Sequence, residues 1–174
     1  MLDAVVTLFA DGQLDPSVHE VADRSGVSLR SVYRYFDDRG DLFAAAIERE
    51  RGQTAVEPGS GTTDERIRDF ARTRVSRFED LRAVHAAATA RARIDQAVAN
   101  ALGEWRDELA ADAERWFREE LDTSEPAVAR TIALTIDVLS QFDTIELLRH
   151  ARGLGVEATV SFLADAIADL LSDE

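Results

Sequence analysis

Between Gly26 and Phe36 the chain reads Gly-Val-Ser-Leu-Arg-Ser-Val-Tyr-Arg-Tyr-Phe, with no acidic residue in the run. Guanidinium and hydroxyl groups gathered at this density suit the recognition of phosphates and base edges, because guanidinium donates a fork of hydrogen bonds and hydroxyls reach backbone oxygens. Wound as a helix at about 100° per residue, Val32 and Phe36 lie within roughly 40° of each other, and Arg30 and Arg34 fall roughly 160° and 200° from Val32. The two arginines are thus i, i+4 neighbours opposite the apolar edge. Tyr33 and Tyr35, the only tyrosines in the chain, fall on the two flanks of that ridge, and Ser31 lies beside it. Such a rod could lie in a major groove, with guanidinium groups toward guanine edges and phenols toward the phosphate walls. A solvated basic helix with aromatic edges is the alternative on these residues alone.

Other chemistries find less support. Cysteine is absent, which excludes thiol nucleophiles, thiolate metal sites and disulfides. The three histidines are His19, His85 and His150. Glu146 and His150 share an i, i+4 spacing, but one such pair is the ordinary pattern of a helix-surface contact. There is no Gly-rich phosphate loop, activated nucleophile or paired-histidine motif. The expectation is a non-enzyme with no cofactor and no metal.

The charge balance complicates a nucleic-acid reading. Against 34 Asp and Glu stand 20 basic residues, all of them Arg, for a net charge of −14. Residues 1–52 hold six Arg and ten acids, a net of −4. Bulk attraction to a polyanion is therefore unavailable, and phosphate binding must come from local geometry. No apolar run approaches the roughly 20 residues of a membrane span, and no positive leader precedes Leu2, so a cytoplasmic protein is expected.

The elements that must position the basic rod are helical. Pro and Gly are sparse, Ala, Leu, Arg and Glu are frequent, and apolar residues recur with helical spacing. The first helix carries Leu2, Val5, Val6 and Phe9 and stops at Asp11-Gly12. Ser17 and Glu20 form a capping box that starts the second, which ends at Gly26. Ser28 caps the third, running to about Phe36. A fourth starts near Arg39 or Gly40 and carries Leu42, Phe43 and Ile47. Helix, Gly turn and helix over Ser17–Phe36 have the proportions of a helix-turn-helix.

A Pro-, Gly- and Ser-rich segment over 53–63 reads as a linker, dividing a domain of residues 1–52 from one of 64–174. The second domain reads as long helices, for about nine in the whole all-α chain. One begins at Asp64 and runs to about Leu81. Another places Ile94, Val98, Leu102, Trp105, Leu109 and Trp116 on one stripe. Ser124 and Pro126 open a third, which is apolar on two sides: Val128, Ile132, Ile136, Leu139 and Phe142 on one, Leu134, Val138, Ile145 and Leu148 on the other. Its second side must meet either a core helix or another subunit. The last helix carries Val160, Leu163, Ile167 and Leu170.

Leu2-Asp3-Ala4, Leu8-Phe9-Ala10, Val18 to Ala22, Gly26-Val27-Ser28, Val32-Tyr33-Arg34-Tyr35-Phe36 and Leu42-Phe43 together resemble the amino-terminal domain of the tetracycline-repressor (TetR) family of bacterial regulators. The resemblance covers about residues 2–50. It implies a homodimeric transcription factor, usually a repressor, that binds a double-stranded operator and is released by a small-molecule effector. By the same resemblance Ser17 touches phosphate and Leu29, Arg30, Ser31 and Tyr33 occupy recognition positions, while Ser28, by its cap, and Arg34, by the projection, join them as candidate DNA-binding residues. Tyr35 and Arg39 match backbone contacts, Arg39 standing where the family commonly has Lys. The last two helices would pair across the dimer axis, which assigns Leu134, Val138, Ile145, Leu148, Val160, Leu163, Ile167 and Leu170 to the interface. Phe70, Arg74, Phe78, Trp105, Phe142 and Glu146 are the candidates to line an effector cavity.

Two features depart from the family. Its basic arm ahead of the first helix is not among these residues, and Asp37-Asp38 stand where phosphate is expected. With the net charge they motivate the rival reading, an all-helical protein-interaction module that keeps the fold without specific DNA binding.

Overall fold

The computed structural model describes residues 1–52, 58–59 and 61–172. Among them are ten α-helices, one π-helical turn and no strand: α1 Leu2–Ala10, α2 Val18–Ser25, α3 Leu29–Tyr35, α4 Arg39–Gly52, α5 Thr63–Arg91, α6 Gln96–Trp116, α7 Arg118–Thr123, α8 Pro126–Ser140, α9 Phe142–Glu146, the π turn Leu147–Ala151, and α10 Val156–Ser172. No described helix is long and apolar enough to cross a membrane. The expected linker lies in part outside the described residues. Two compact units emerge: one joins α1–α4 to Asp80–Trp105, the other joins α5 up to Glu79 to the chain from Arg106 onward.

In the first unit, α1 buries Ala4, Val5, Leu8 and Phe9, and α4 buries Leu42, Phe43, Ala46 and Ile47. Phe9 meets Phe43 edge-on at 5.1 Å, an arrangement that suits the charge distribution of both rings. Later segments add Val84, Ala87, Ala88, Val98, Leu102 and Trp105 to the buried set.

The helices beyond the linker differ from the sequence reading wherever a local cap overrides periodicity. Residues 63–91 contain neither Gly nor Pro, so α5 runs unbroken for 29 residues through the Ala-rich stretch near His85. Ile94 leaves the expected stripe: it lies in the turn before α6 and is 79% exposed, while Val98, Leu102, Trp105, Leu109 and Trp116 are buried. The break at Phe117 (φ −114°, ψ 22°) creates a short α7. Glu125, rather than Ser124, caps α8, its carboxylate accepting from the N–H groups of Ala127 and Val128 at 3.1 and 3.4 Å.

The helix with two apolar sides is two helices. Gln141 is extended (φ −64°, ψ 146°) and ends α8, so the phase of the chain resets before α9. Leu134 and Val138 remain outward at 55% and 61% exposure, but Ile145 turns inward and is fully buried. On α10, Leu163 and Ile167 are fully buried as well, while Leu148, Val160 and Leu170 are partly covered. Ile145, Leu163 and Ile167 therefore belong to the core of a single chain and are withdrawn from the expected interface. The outward apolar residues of α8 and α10 are instead Val128, Leu134, Val138, Val156 and Phe162.

The core of the second unit holds an unusual charge cluster. Arg74, 1% exposed, donates from Nη2 to the Leu109 carbonyl (3.0 Å) and to Asp112 Oδ2 (3.2 Å), and from Nη1 to the Ser140 carbonyl (3.4 Å). Arg77 and Arg115 also reach Asp112, at 3.4 and 2.6 Å. Burial pushes the Arg74 guanidinium down to about 10, and Asp112 is the main influence opposing that shift. The Asp112 carboxylate thus ties α5 to α6, and Arg74 reaches on to the end of α8. Removing the carboxylate would leave buried positive charge without a counter-ion, so Asp112→Asn should cost about 3–5 kcal/mol in a urea unfolding titration. A loss below about 1 kcal/mol would show that the cluster does not hold these helices.

Candidate nucleic-acid interface

The basic rod is α3, and its surroundings are built by caps. Ser17 Oγ accepts from the Glu20 N–H at 3.3 Å while the Glu20 carboxylate accepts from the Ser17 N–H at 2.7 Å, the reciprocal box read from the sequence. The Ser17 hydroxyl and the Ser17 N–H, both donating to the Glu20 carboxylate, hold that carboxyl below its usual range. Gly26 then takes a left-handed conformation (φ 68°), which a side chain would strain, and the chain reverses within one turn. Ser28 Oγ accepts from the Ser31 N–H at 3.2 Å and lies 3.0 Å from Ser31 Oγ, closing the amino end of α3.

Only Val32 of α3 is buried, at 1% exposure. Leu29 and Ser31 are half-buried, and Arg30, Tyr33, Arg34 and Tyr35 are exposed, the tyrosines at 55% and 64%. The helical projection placed these faces correctly, since one apolar anchor orients the rod. One detail changes. Arg34 leaves the ridge to lie over the Tyr35 ring, 4.8 Å from its centroid, and donates to Tyr35 Oη at 3.0 Å. Arg30 is the exposed guanidinium of α3 that has no acid or ring against it among the described residues.

Two residues assigned to phosphate have protein partners. The Ser17 hydroxyl also donates to Glu20, at 2.7 Å. Arg39 pairs with Asp15 at 3.2 Å and lies 6.0 Å from the Phe43 ring centre. Of the two acids that stand against phosphate binding, Asp38 has a local use, for it caps α4 by accepting from the Asp41 N–H at 3.0 Å. Asp15, Arg91 and Asp95, which meet beside Arg39, escaped sequence reasoning. Arg91 and Asp15 are 76 positions apart, and no periodicity links them.

The effector candidates do not form one group. Phe70, Arg74, Phe78 and Phe142 are buried in the second unit, where Phe78 meets Phe142 at 5.6 Å and Arg74 lies 4.8 Å from the Phe70 centroid. Glu146 is half-buried and 3.9 Å from His150. Trp105 belongs to the first unit, edge-on to His85 at 5.9 Å. A groove of about 710 Å³ bounded by Arg115, Arg118, Leu121, Arg130 and Leu134 includes none of the six. No cluster of three metal-ligating side chains occurs among the described residues.

The fold is found in solved structures over essentially the whole chain. A TetR-like transcriptional regulator from Rhodococcus sp. RHA1 is similar at 22% identity with a TM-score of 0.69, covering 99% of this chain and 94% of that one. A protein assigned as a transcriptional regulator from Pseudomonas aeruginosa PAO1 is similar at 16% identity and a TM-score of 0.72, with 99% and 88% covered. The fatty acid degradation regulator FadR from Bacillus halodurans is similar at 15% identity and a TM-score of 0.58, with 99% and 97% covered. No curated protein sequence matches. At these identities the structures establish the fold, while the sequence itself matches the family of bacterial regulatory proteins, tetR family, over residues 1–46. With its capped helix-turn-helix and outward α3 face, the amino-terminal part of this chain is similar in sequence and in fold to the amino-terminal domain of the tetR family of bacterial regulatory proteins.

Proposed function

We propose that the chain is a homodimeric transcriptional regulator of the cytoplasm, a repressor that reads a two-fold related operator with a pair of α3 helices and is released by a small-molecule effector. The observation that carries the reading is α3 itself: one buried valine holds it, and Arg30, Tyr33 and the Arg34–Tyr35 pair face outward. Arg30 is the reader of base edges in this scheme, and Arg34 with Tyr35 engages the backbone. Ser17, Ser28, Leu29, Ser31 and Arg39 complete the contact surface. Residues 1–52 serve as the reading domain and 64–174 as the effector and dimer domain, with residues 53–63 as the linker between them.

Dimerisation by α8 and α10 is supported by Leu134, Val138 and Phe162, apolar side chains that a lone chain leaves in water. A two-fold pair of recognition helices fits successive major grooves roughly 34 Å apart. Release requires an effector that binds the two dimer shapes unequally. The buried aromatic residues around Arg74 are the region proposed to receive it, with Glu146 at its edge.

Arg30→Ala should weaken binding to a duplex from upstream of the protein's own gene by about 1–3 kcal/mol in a gel-retardation titration. If wild-type protein holds that duplex no better than an unrelated one, the interaction-module reading replaces this one. Leu134→Glu combined with Val138→Glu should convert a dimer into a monomer in light scattering, with helicity unchanged. A wild-type protein that is monomeric at micromolar concentration would refute the dimer.

A further inference from the structure

Arg39 stands at the start of α4, and Asp15 precedes the buried Pro16 and the Ser17 cap. Asp15 divides its two oxygens between two guanidinium groups: Oδ2 is 3.2 Å from Arg39 Nη2, and Oδ1 is 2.8 Å from Arg91 Nη1. Arg91 is the last residue of α5, and its side chain is only 13% exposed. Asp95 fixes it from the other side, accepting from Nε and Nη2 at 3.2 and 3.1 Å. Both arginines also face the buried Phe43 ring, Arg91 at 5.8 Å and Arg39 at 6.0 Å from its centroid. The approach is tight, for a methyl group on Gly40 would run into the Asp95 carboxylate. Asp95 is anchored in turn, since it accepts from the Val98 N–H at 3.3 Å and caps α6.

This arrangement sets a competition for one carboxylate. Asp15 is half-exposed, so its pairs add little to stability. Their effect is on where Arg39 spends its charge. A guanidinium held by an unshared carboxylate is a poor phosphate ligand, whereas one whose counter-ion is already satisfied by a second cation can leave at small cost. We infer that Arg91 is a positioning residue for DNA binding: by claiming one oxygen of Asp15 it frees Arg39 to meet a phosphate, and Asp95 holds Arg91 in place to do so. The inference rests on the proposed phosphate contact of Arg39.

The test uses the full chain and a duplex selected from a random pool by the wild-type protein, with affinity measured from about 50 to 300 mM salt. Arg39→Gln should flatten the salt dependence by about one phosphate contact per protomer. Arg91→Gln should do nearly the same and lower affinity about threefold to tenfold at 100 mM salt, although the Arg91 side chain is largely buried behind Asp15 and Asp95. Asp15→Asn alone should tighten binding and steepen the salt dependence. Asp15→Asn added to Arg91→Gln should restore the wild-type slope, and Arg91→Lys should keep it. A merely structural role for Arg91 predicts no rescue by Asp15→Asn. Arg39→Gln effective with Arg91→Gln silent, or a loss in Arg91→Gln that Asp15→Asn leaves unrepaired, overturns the inference alone. A silent Arg39→Gln overturns the phosphate contact and the inference together. Should Arg91→Gln fail to fold, an unchanged slope in Asp15→Asn, an exposed position, is equally decisive against it.

Discussion

A helix of seven residues is far below the length that persists in water unaided, because the entropy of fixing its first turn is never recovered from so few hydrogen bonds. The recognition rod therefore exists only as long as its supports hold. Val32 fixes it to the first unit, Ser28 satisfies its amino end, and Gly26 sets the reversal that brings it against α2. Because so small a part of its surface is spent on anchoring, nearly all the rest can face a ligand. Economy of burial and availability for contact are here the same property.

Electrostatics follow from that geometry rather than from composition. An acidic chain cannot rely on its overall field to find a polyanion, and most of its guanidinium groups are occupied by nearby carboxylates. The cluster at Asp112 shows what such pairing does in a core: it satisfies Arg74 and Arg77, cations that packing has largely shut away from water. The pairing at Asp15 lies at the surface and is correspondingly easy to exchange. Arg30 is exposed on α3 and has no carboxylate partner among the described residues, so its charge stays available on that face.

The amino-terminal elements were legible because each is signalled locally. A capping box, a left-handed glycine and a serine cap mark their own boundaries, and the projection of α3 needs only its apolar edge. Beyond the linker, periodicity continued straight through Gln141 although the backbone does not. An extended residue there carries no strong sequence signature, and the error sent Ile145 to the surface. Leu163 and Ile167 failed for a different reason, since an amphipathic stripe says that a face is covered but not by what. The contacts of Arg91 were beyond reach altogether, because ion pairs between distant segments leave no pattern in one sequence.

The stacking of Arg34 on Tyr35 has a thermodynamic corollary. A free arginine surrenders several rotatable bonds when it settles on a nucleotide, and that entropic penalty is charged against affinity. Here the aromatic plane has already selected the rotamer, so in the proposed operator complex the penalty would be borne during folding and Arg34 would arrive as an ordered donor. Mutating the tyrosine would then weaken association through disorder of its neighbour, even where the phenol itself touched nothing.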